Sequence, residues 1–265
     1  MKCRLFFRSV HHFSSFVCLY VFVIINTNPI LSCDVNKTTR VVTCKDQGNL
    51  AEQFRQLSAG LSDDWKLLNR VDIKYPIVTI PSNVFHDLSF YNIMIYNSTN
   101  LERIHNNCFQ STRKVTKRFV FSQTFVSKLV NDPPVYDLYK AISSLVNLEQ
   151  VFINLGSHMI HEVPDRALQR TAFEQQKNLK FVEWYGYFTI SRIGSDVFTD
   201  LPNVEQIVFK FVHVQQIDKN AFRMPKNDHA KRMNITFLNT SLTEKSFEPG
   251  VFANMGRPVL LNLGM

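Results

Sequence analysis

A spaced apolar pattern recurs along this chain, and its clearest copy occupies residues 90–109. In that copy Ile93 and Ile95 show the two-residue alternation of a short β-strand. Leu101 and Ile104 follow after a polar turn, and a phenylalanine closes the unit five residues later. A unit this small cannot bury its own apolar side, so the pattern predicts several similar units stacked side by side.

The pattern returns often enough to define a repeat. In six copies the closing apolar residue lies five residues after the second apolar edge, and in adjoining copies the closing residues are 24 to 30 residues apart. The six pairs are Ile80 and Phe85, Ile104 and Phe109, Val163 and Leu168, Ile193 and Phe198, Ile217 and Phe222, and Phe247 and Phe252. This unit length is typical of leucine-rich repeats. We therefore predict an α/β solenoid: a leucine-rich repeat horseshoe with a parallel concave sheet, an irregular convex side and an N-terminal cap.

Four segments carry a more particular resemblance: SSLVNLEQVFI at 143–153, IHEVPDRAL at 160–168, ISRIGSDVF at 190–198 and SLTEKSFEPGVF at 241–252. They resemble arthropod secreted proteins related to the non-catalytic subunit of oplophorus-type luciferase, over about residues 33–265. The resemblance implies a secreted, non-enzymatic leucine-rich repeat protein that binds or stabilises a partner. It does not imply a part in luminescence.

The first 32 residues have the parts of a secretory signal peptide. They contain three basic residues and no acidic residue, then a ten-residue apolar run at 16–25 and small Ser32 at the exit. A membrane span needs about 20 apolar residues, so an uncleaved membrane anchor is the less favoured alternative. We predict a secreted, extracellular protein with no membrane association unless the leader is retained or a C-terminal anchor is missing.

Composition argues against a nucleic-acid partner. The formal charge of +8 includes three basic residues of the leader, and without them 27 basic residues face 22 acidic ones, which leaves +5. This is a mild excess, and no lysine or arginine run has the density of a nucleic-acid-binding patch.

Two further features suit an extracellular compartment. Four Asn-x-Ser/Thr sequons predict N-glycosylation; they begin at Asn36, Asn97, Asn234 and Asn239. Outside the leader the chain has three cysteines. We predict a disulfide between Cys33 and Cys44, which lie close enough in sequence to staple a small cap. For Cys108 the alternatives are a buried free thiol and an intermolecular disulfide.

The body divides into a cap at residues 33–66 and a repeat array at 67–265. An irregular, proline-containing insertion is expected near 122–140, because Pro133 and Pro134 disfavour regular structure. The alternating Phe119 and Phe121 just before it are compatible with a strand of another copy. The final residues 258–265 form the strand of a fresh repeat and then stop. We therefore expect an incomplete C-terminal repeat, from a truncated chain or an incomplete gene model.

No motif for catalysis, a cofactor or a metal is present. His158 and His161 fall in a repeat turn without a carboxylate cluster nearby, which argues against a metal site. Three cysteines without a CxxC pair do not make a zinc site. The chain also has no nucleophile elbow, phosphate-binding loop, dinucleotide fingerprint or HExxH motif. We therefore predict that the protein is not an enzyme.

The architecture offers a surface instead. Residues between the inward apolar positions of the strands should line the concave face. Five of them are aromatic or methionine side chains with polar neighbours, and we predict that they bind a ligand: Met94, Tyr96, Phe152, Phe181 and Tyr185. Protein interfaces use anchors of this kind, although scattered apolar residues also occur on any protein surface. A glycan at Asn234 would stand on or near the same face.

These observations predict a secreted binding module whose concave face holds an extracellular protein ligand. The alternatives are a non-catalytic, stabilising partner subunit of an extracellular enzyme complex, and a membrane-tethered receptor ectodomain.

Overall fold

The computed structural model describes residues 33–45, 48–124, 130–131, 136–157, 160–168, 177–199, 201–224, 226 and 232–264. The predicted signal peptide at 1–32, His158 and the two prolines of the predicted insertion lie outside these residues.

The described residues form mostly short strands. In chain order they are β1 (Cys33–Asn36), β2 (Val41–Cys44), β3 (Leu67–Ile73), β4 (Thr79–Ile80), β5 (Ser89–Tyr96), β6 (Arg103–Ile104), β7 (Arg118–Thr124), β8 (Val130–Asn131), β9 (Tyr136–Asp137), β10 (Gln150–Leu155), β11 (Ile160–Val163), β12 (Phe181–Tyr185), β13 (Thr189–Ile193), β14 (Gln206–Lys210), β15 (His213–Val214), β16 (Met233–Leu238) and β17 (Val259–Gly264). Two α-helices occur within the described part of the chain, α1 (Leu50–Ala59) and α2 (Leu138–Ser143).

One large sheet contains ten of these strands, in the order β1-β2-β3-β5-β7-β10-β12-β14-β16-β17. Only β1 and β2 pair antiparallel, and every later neighbour in the sheet is parallel. Each unit thus contributes one strand to the sheet. The chain then returns to the end of the sheet where that strand began, and the next strand starts there. A mostly parallel sheet built from successive units is a solenoid-like arrangement.

Alternation along each strand decides which side chains enter the core. In β12, Val182 and Trp184 are buried, and the other three residues of the strand are partly exposed. The parallel register places Trp184 beside Phe209, and Phe209 beside Phe237. Their rings stack with centroids 5.0 Å and 4.9 Å apart, so one inward position becomes a continuous aromatic column across three strands.

The closing phenylalanines of the repeat make a second column inside the core. Phe198 stacks on Phe222 at 5.2 Å, and Phe222 stacks on Phe252 at 5.5 Å. Nearer the N-terminus, Phe85 stacks on Phe109 at 5.8 Å. The constant five-residue spacing seen in the sequence therefore places equivalent rings above one another, where each buried ring contributes roughly 1.5 to 3 kcal/mol.

The side across the core from the large sheet differs from the predicted irregular layer. Strands β11, β13 and β15 form a three-stranded parallel sheet, and β4 pairs parallel with β6. The connecting segments of the repeats are thus short strands, turns and brief 3-10 helices, and the predicted α/β class is too rich in helix. Strands of two to five residues show too little alternation to be recognised from sequence.

The N-terminal segment supplies the first layer of the stack. β1 and β2 form a hairpin with Cys33 opposite Cys44. Helix α1 begins after Asn49, whose side chain accepts a hydrogen bond from the Glu52 N–H at 3.2 Å, as an N-cap does. Its Phe54 packs edge-on against Phe85 with ring centroids 4.9 Å apart, so the helix covers the first closing phenylalanine.

The segment predicted as an irregular insertion near 122–140 starts with regular structure. β7 lies in the large sheet between β5 and β10, with Phe119 and Phe121 fully buried. At the far end of the predicted range, α2 begins, and its Leu138, Tyr139 and Ile142 are buried as well. Phe119 and Phe121 thus belong to a strand that begins before the predicted insertion and continues into it.

The last strand, β17, pairs parallel with β16. Its Leu261 and Leu263 are in register with the buried Ile235 and Phe237. These two leucines are nevertheless 39% and 57% exposed, since no further strand of the described residues follows.

Candidate functional site

The outer face of the large sheet, meaning the side turned away from the core, brings the predicted anchor residues together. Met94 pairs with Val120, and Val120 pairs with Phe152. On the neighbouring lines of the face, Tyr96 pairs with Ser122, and Phe181 pairs with Gln150. We call the patch formed by the following six residues the aromatic strip: Met94, Tyr96, Val120, Phe152, Phe181 and Tyr185.

Phe152 and Phe181 form the centre of the aromatic strip. They lie diagonally on adjacent strands, and their ring centroids are 5.1 Å apart with the planes tilted by 36°. The Arg118 guanidinium carbon lies 4.6 Å from the centroid of Phe152, which is a cation–π contact. The pair is partly buried by its own neighbours and still reaches the surface.

Hydrogen bonds hold the two tyrosines of the strip in place. The Tyr96 hydroxyl donates to the sulfur of Met94, and the Tyr185 hydroxyl donates to Ser122 Oγ at 3.3 Å. Burial raises the pKa of Tyr96, and the charge of nearby Asp72 adds to the effect. The Tyr96 hydroxyl therefore stays protonated at neutral pH. Both hydroxyls are polar ends of an otherwise apolar surface.

Charged groups border the aromatic strip on both sides. On β3, Asp72 is 3% exposed and lies 3.0 Å from Arg70 Nε and 3.7 Å from Lys74 Nζ. On the other side, burial raises the pKa of Glu183, and the charge of Lys210 opposes that rise. An apolar centre with polar groups around it is a common composition of protein interfaces.

Three residues of this face were missed by the sequence analysis: Arg118, Val120 and Ser122. All three lie on β7, and they fill the gap between the β5 and β10 members of the strip. The signal that would have found them is the alternation of Phe119 and Phe121, whose neighbours must point to the opposite face.

A cavity of about 520 Å³ lies where several strands of the large sheet end. Its wall includes Tyr185 from the aromatic strip, together with Tyr187 and Phe211 from the turns that follow β12 and β14. Asn97 and Asn154 supply amide groups to the same wall. Side chains that are far apart in sequence meet here because every parallel strand ends at the same edge of the sheet.

Comparison with known families agrees with the repeat pattern. The family described as BspA type leucine rich repeat region matches residues 57–129 and 149–254 in six copies. The chain belongs to this family. No curated protein matches the chain. As a BspA-type leucine-rich repeat protein it has a repeat architecture that suggests a protein-binding module and is typically non-enzymatic.

The BspA-type family match does not cover the N-terminal hairpin, where Cys33 and Cys44 form a disulfide. Within the matched repeats, Cys108 is a free and fully buried cysteine. Burial raises the pKa of its thiol well above the ordinary value. This position fits the buried-thiol interpretation, because a buried, protonated thiol is unreactive.

The four sequons lie in different settings. Asn36 is exposed at the end of β1, and Asn97 and Asn239 are exposed just after β5 and β16. Asn234 is half-buried in β16, on the outer face in register with Gln206. A glycan at Asn234 would therefore stand on the same face as the aromatic strip, two strands from Phe181.

His161 is part of a buried contact in the core of the BspA-type repeats. Its Nε2 lies 2.6 Å from the Tyr139 hydroxyl, and the Trp184 indole N–H donates to that hydroxyl at 3.4 Å. Burial lowers the pKa of His161 to about 3, so the ring is neutral. In the described residues no group of three or more His, Cys, Asp or Glu side chains is placed to hold a metal ion.

Helices in the described part of the chain are too short or too polar to span a membrane.

Proposed function

We propose that this protein is a secreted, extracellular binding module that holds a protein partner on the outer face of its large sheet, the concave face of the predicted horseshoe. The observation that carries the proposal is the aromatic strip, whose members come from four neighbouring strands and lie in contact or in register. Four separate repeat units each contribute to one continuous patch.

The chemistry of the aromatic strip favours a protein ligand. Tyrosine, phenylalanine, methionine and arginine are enriched at protein interfaces, and the energetically dominant residues sit at the centre with polar groups around them. Phe152 and Phe181 occupy such a centre, and Arg118 lies against it. Repeat proteins in general use their extended sheet or helix surfaces for binding.

The extracellular part of the proposal rests on three features. Residues 1–32 have the composition of a signal peptide, and four sequons follow it. The Cys33–Cys44 disulfide suits an oxidising compartment, because thiols are kept reduced in the cytosol.

A stabilising, non-catalytic subunit of an extracellular enzyme complex is the second candidate. The four segments that resemble the arthropod secreted proteins favour it, and a membrane-tethered receptor ectodomain would use the same surface. A stable complex of constant composition on size exclusion of the native material would distinguish the subunit from a free binding module. An ectodomain would remain with the membrane fraction.

Paired charge substitutions test the proposed surface. Phe152→Asp combined with Phe181→Asp places two carboxylates in the centre of the strip, and we expect capture of the partner from native extracellular fluid to fall at least tenfold. The matched control is Ile160→Asp, because Ile160 is 71% exposed on β11, across the core. Folding of each variant is checked by circular dichroism. Unchanged capture by the folded double variant would remove this face as the binding site.

A further inference from the structure

The cavity at the strand ends has a wall that selects for a neutral ligand. Its described lining consists of aromatic, amide, hydroxyl, glycine and leucine groups, and none of these lining residues is Asp, Glu, Lys, Arg or His. A charged ligand would lose hydration here without gaining an ion pair from these lining residues. The volume of about 520 Å³ lies within the range of small-molecule sites.

Two rings form a platform at the mouth of the cavity. Tyr187 is 73% exposed, and it stacks on Phe211 with ring centroids 5.5 Å apart and planes 30° apart. Lys210, which is not one of the lining residues, has its Nζ 5.5 Å from the centroid of the Phe211 ring. A large ring left as open as Tyr187 contributes little to the core, so its stacking geometry is available to a ligand.

The backbone of Phe211 is strained in order to present this ring. Its φ is +58°, a left-handed conformation that is unusual for a bulky residue. The equivalent positions after β5, β12 and β16 hold Asn97, Gly186 and Asn239, also with positive φ. Asparagine and glycine adopt this conformation at little cost, whereas phenylalanine adopts it only with strain. Strained residues of this kind cluster at binding sites.

Amide groups complete the wall beside the platform. Asn154 packs so closely on Gly186 that a Cβ at position 186 would meet its Oδ1 at 2.6 Å. The φ of +124° favours glycine there, and a larger residue would also have to displace the Asn154 amide. An amide both donates and accepts hydrogen bonds, and a purely apolar ligand would leave these groups without partners.

We propose that this cavity binds a neutral pyranose sugar, which lies on the Tyr187–Phe211 platform and bonds to the amide of Asn154. A pyranose has an apolar C–H face that packs on aromatic rings and hydroxyls that both donate and accept hydrogen bonds. The cavity offers both kinds of partner on one wall.

The sugar has two possible sources with the same chemistry. Asn97 is the acceptor of the sequon that ends at Thr99, and both residues line the cavity. A glycan attached to Asn97 would begin at the cavity wall, a source that rests on the proposed secretion. The other source is a glycan carried by a separate molecule.

Binding of N,N′-diacetylchitobiose to the full secreted chain tests the proposal, measured by saturation-transfer NMR on protein made with and without N-glycosylation. We expect saturation transfer to the disaccharide from the unglycosylated protein. Tyr187→Ala should weaken binding at least tenfold, and the matched control Tyr91→Ala, at a tyrosine 36% exposed outside the cavity, should leave it unchanged. Weaker binding to the glycosylated protein identifies the Asn97 glycan as the occupant, and equal binding identifies a separate glycan.

Phe211→Asn separates a binding role from a structural one. It removes half of the platform but keeps a side chain that accepts positive φ, so sugar binding should be lost while the melting temperature rises. The sugar proposal is overturned if the unglycosylated protein shows no saturation transfer to the disaccharide, or if Tyr91→Ala weakens sugar binding as much as Tyr187→Ala does. N-acetylphenylalaninamide serves as a non-sugar aromatic probe, and binding of this probe alone would also overturn the proposal. Because Tyr187 and Phe211 lie outside the aromatic strip, failure here leaves protein capture by the strip unaffected.

Discussion

The two sides of the repeat stack treat their polar and apolar groups in opposite ways. Across the core from the large sheet, Arg192 bonds to three carboxylates, with Glu162 at 2.7 Å, Asp165 at 2.6 Å and Asp218 at 2.6 Å. These contacts raise the pKa of Arg192 further above its ordinary value, although burial of the guanidinium opposes the rise. Each carboxylate comes from a neighbouring turn or strand, so this side joins its repeats to one another with charges.

The outer face of the large sheet joins its repeats with rings instead. Phe152 and Phe181 contact each other, and Arg118 packs on a ring rather than on a carboxylate. On the side opposite the large sheet, the charged groups around Arg192 pair with one another. On the outer face, the rings of Phe152 and Phe181 leave apolar surface accessible to a partner. The difference supports the proposal that the outer face binds a partner, while the charge cluster on the opposite side stabilises the stack.

Loss of a closing phenylalanine should have the largest effect, because both sides are attached to the same core. Phe222 is fully buried between Phe198 and Phe252. We expect Phe222→Ala to lower the free energy of unfolding by about 3 to 5 kcal/mol, measured by chemical denaturation. Phe222→Leu, which keeps most of the volume, is the control and should cost much less. Equal losses for both variants would contradict the packing role of the ring.

Acid should weaken the core at His161. The pKa of this buried ring is lowered to about 3, from 6.5 for the ordinary side chain. Below about pH 6.5, His161 binds a proton in the unfolded chain but stays neutral in the native state. The contribution of neutral His161 to the free energy of unfolding is therefore fully present at neutral pH and is lost as the pH falls towards 3. The loss at pH 4.5 relative to pH 7 should be roughly 2 to 3 kcal/mol.

His161→Gln tests this pH dependence. Glutamine can still accept a hydrogen bond from Tyr139 but does not titrate in this range. Denaturation midpoints between pH 4 and pH 7 should therefore vary less in the variant than in the wild type. Parallel pH profiles would show that another group controls acid stability.

Arg192→Ala should lower the stability of the fold without affecting capture of the partner, which separates the roles of the two sides. Removal of the shared guanidinium leaves three carboxylates close together, and we expect a loss of about 1 to 2 kcal/mol that shrinks at high salt. Capture of the partner should not change. The control is Arg166→Ala, since Arg166 is mostly exposed and lies 4.0 Å from a single carboxylate; exposed pairs contribute about 0 to 1 kcal/mol. A loss of capture in Arg192→Ala at full folding would mean that the opposite side also binds.

Arg118→Gln should have the smallest effect on stability. The cation–π contact with Phe152 contributes about 0.5 to 1 kcal/mol at a partly exposed site. We expect that modest loss in denaturation, together with a several-fold faster dissociation of the captured partner in surface plasmon resonance. An unchanged dissociation rate would restrict the binding surface to the rings alone.

The strands of the large sheet are predictable because inward and outward residues alternate with a period of two. This alternation alone places Met94 and Phe152 on the same face. The five-residue spacing, which stacks Phe198 on Phe222, is equally visible in the amino-acid sequence. Because the repeats are equivalent, one clear copy is enough to interpret the others.

Other parts of the site are not predictable from the pattern. Pro133 and Pro134 predict an irregular segment next to β7. For this reason Val120 and Ser122 of β7 are not recognised from the sequence as residues of the outer face. The short strands opposite the large sheet carry too few residues to show a period. The cavity joins Asn97 to Phe211 across more than a hundred residues, and the positive φ of Phe211 leaves no trace in the sequence.

Site-specific photo-crosslinking tests the central claim most directly. Phe181 is replaced by p-benzoylphenylalanine, which keeps an aromatic ring in the centre of the strip, and the same residue is placed at Ile160 on the opposite side as the control. After irradiation in native extracellular fluid, we predict a discrete crosslinked protein partner at position 181 and none of that partner at position 160. The same partner crosslinked at position 160 but not at position 181 would contradict the assignment of binding to the outer face of the large sheet.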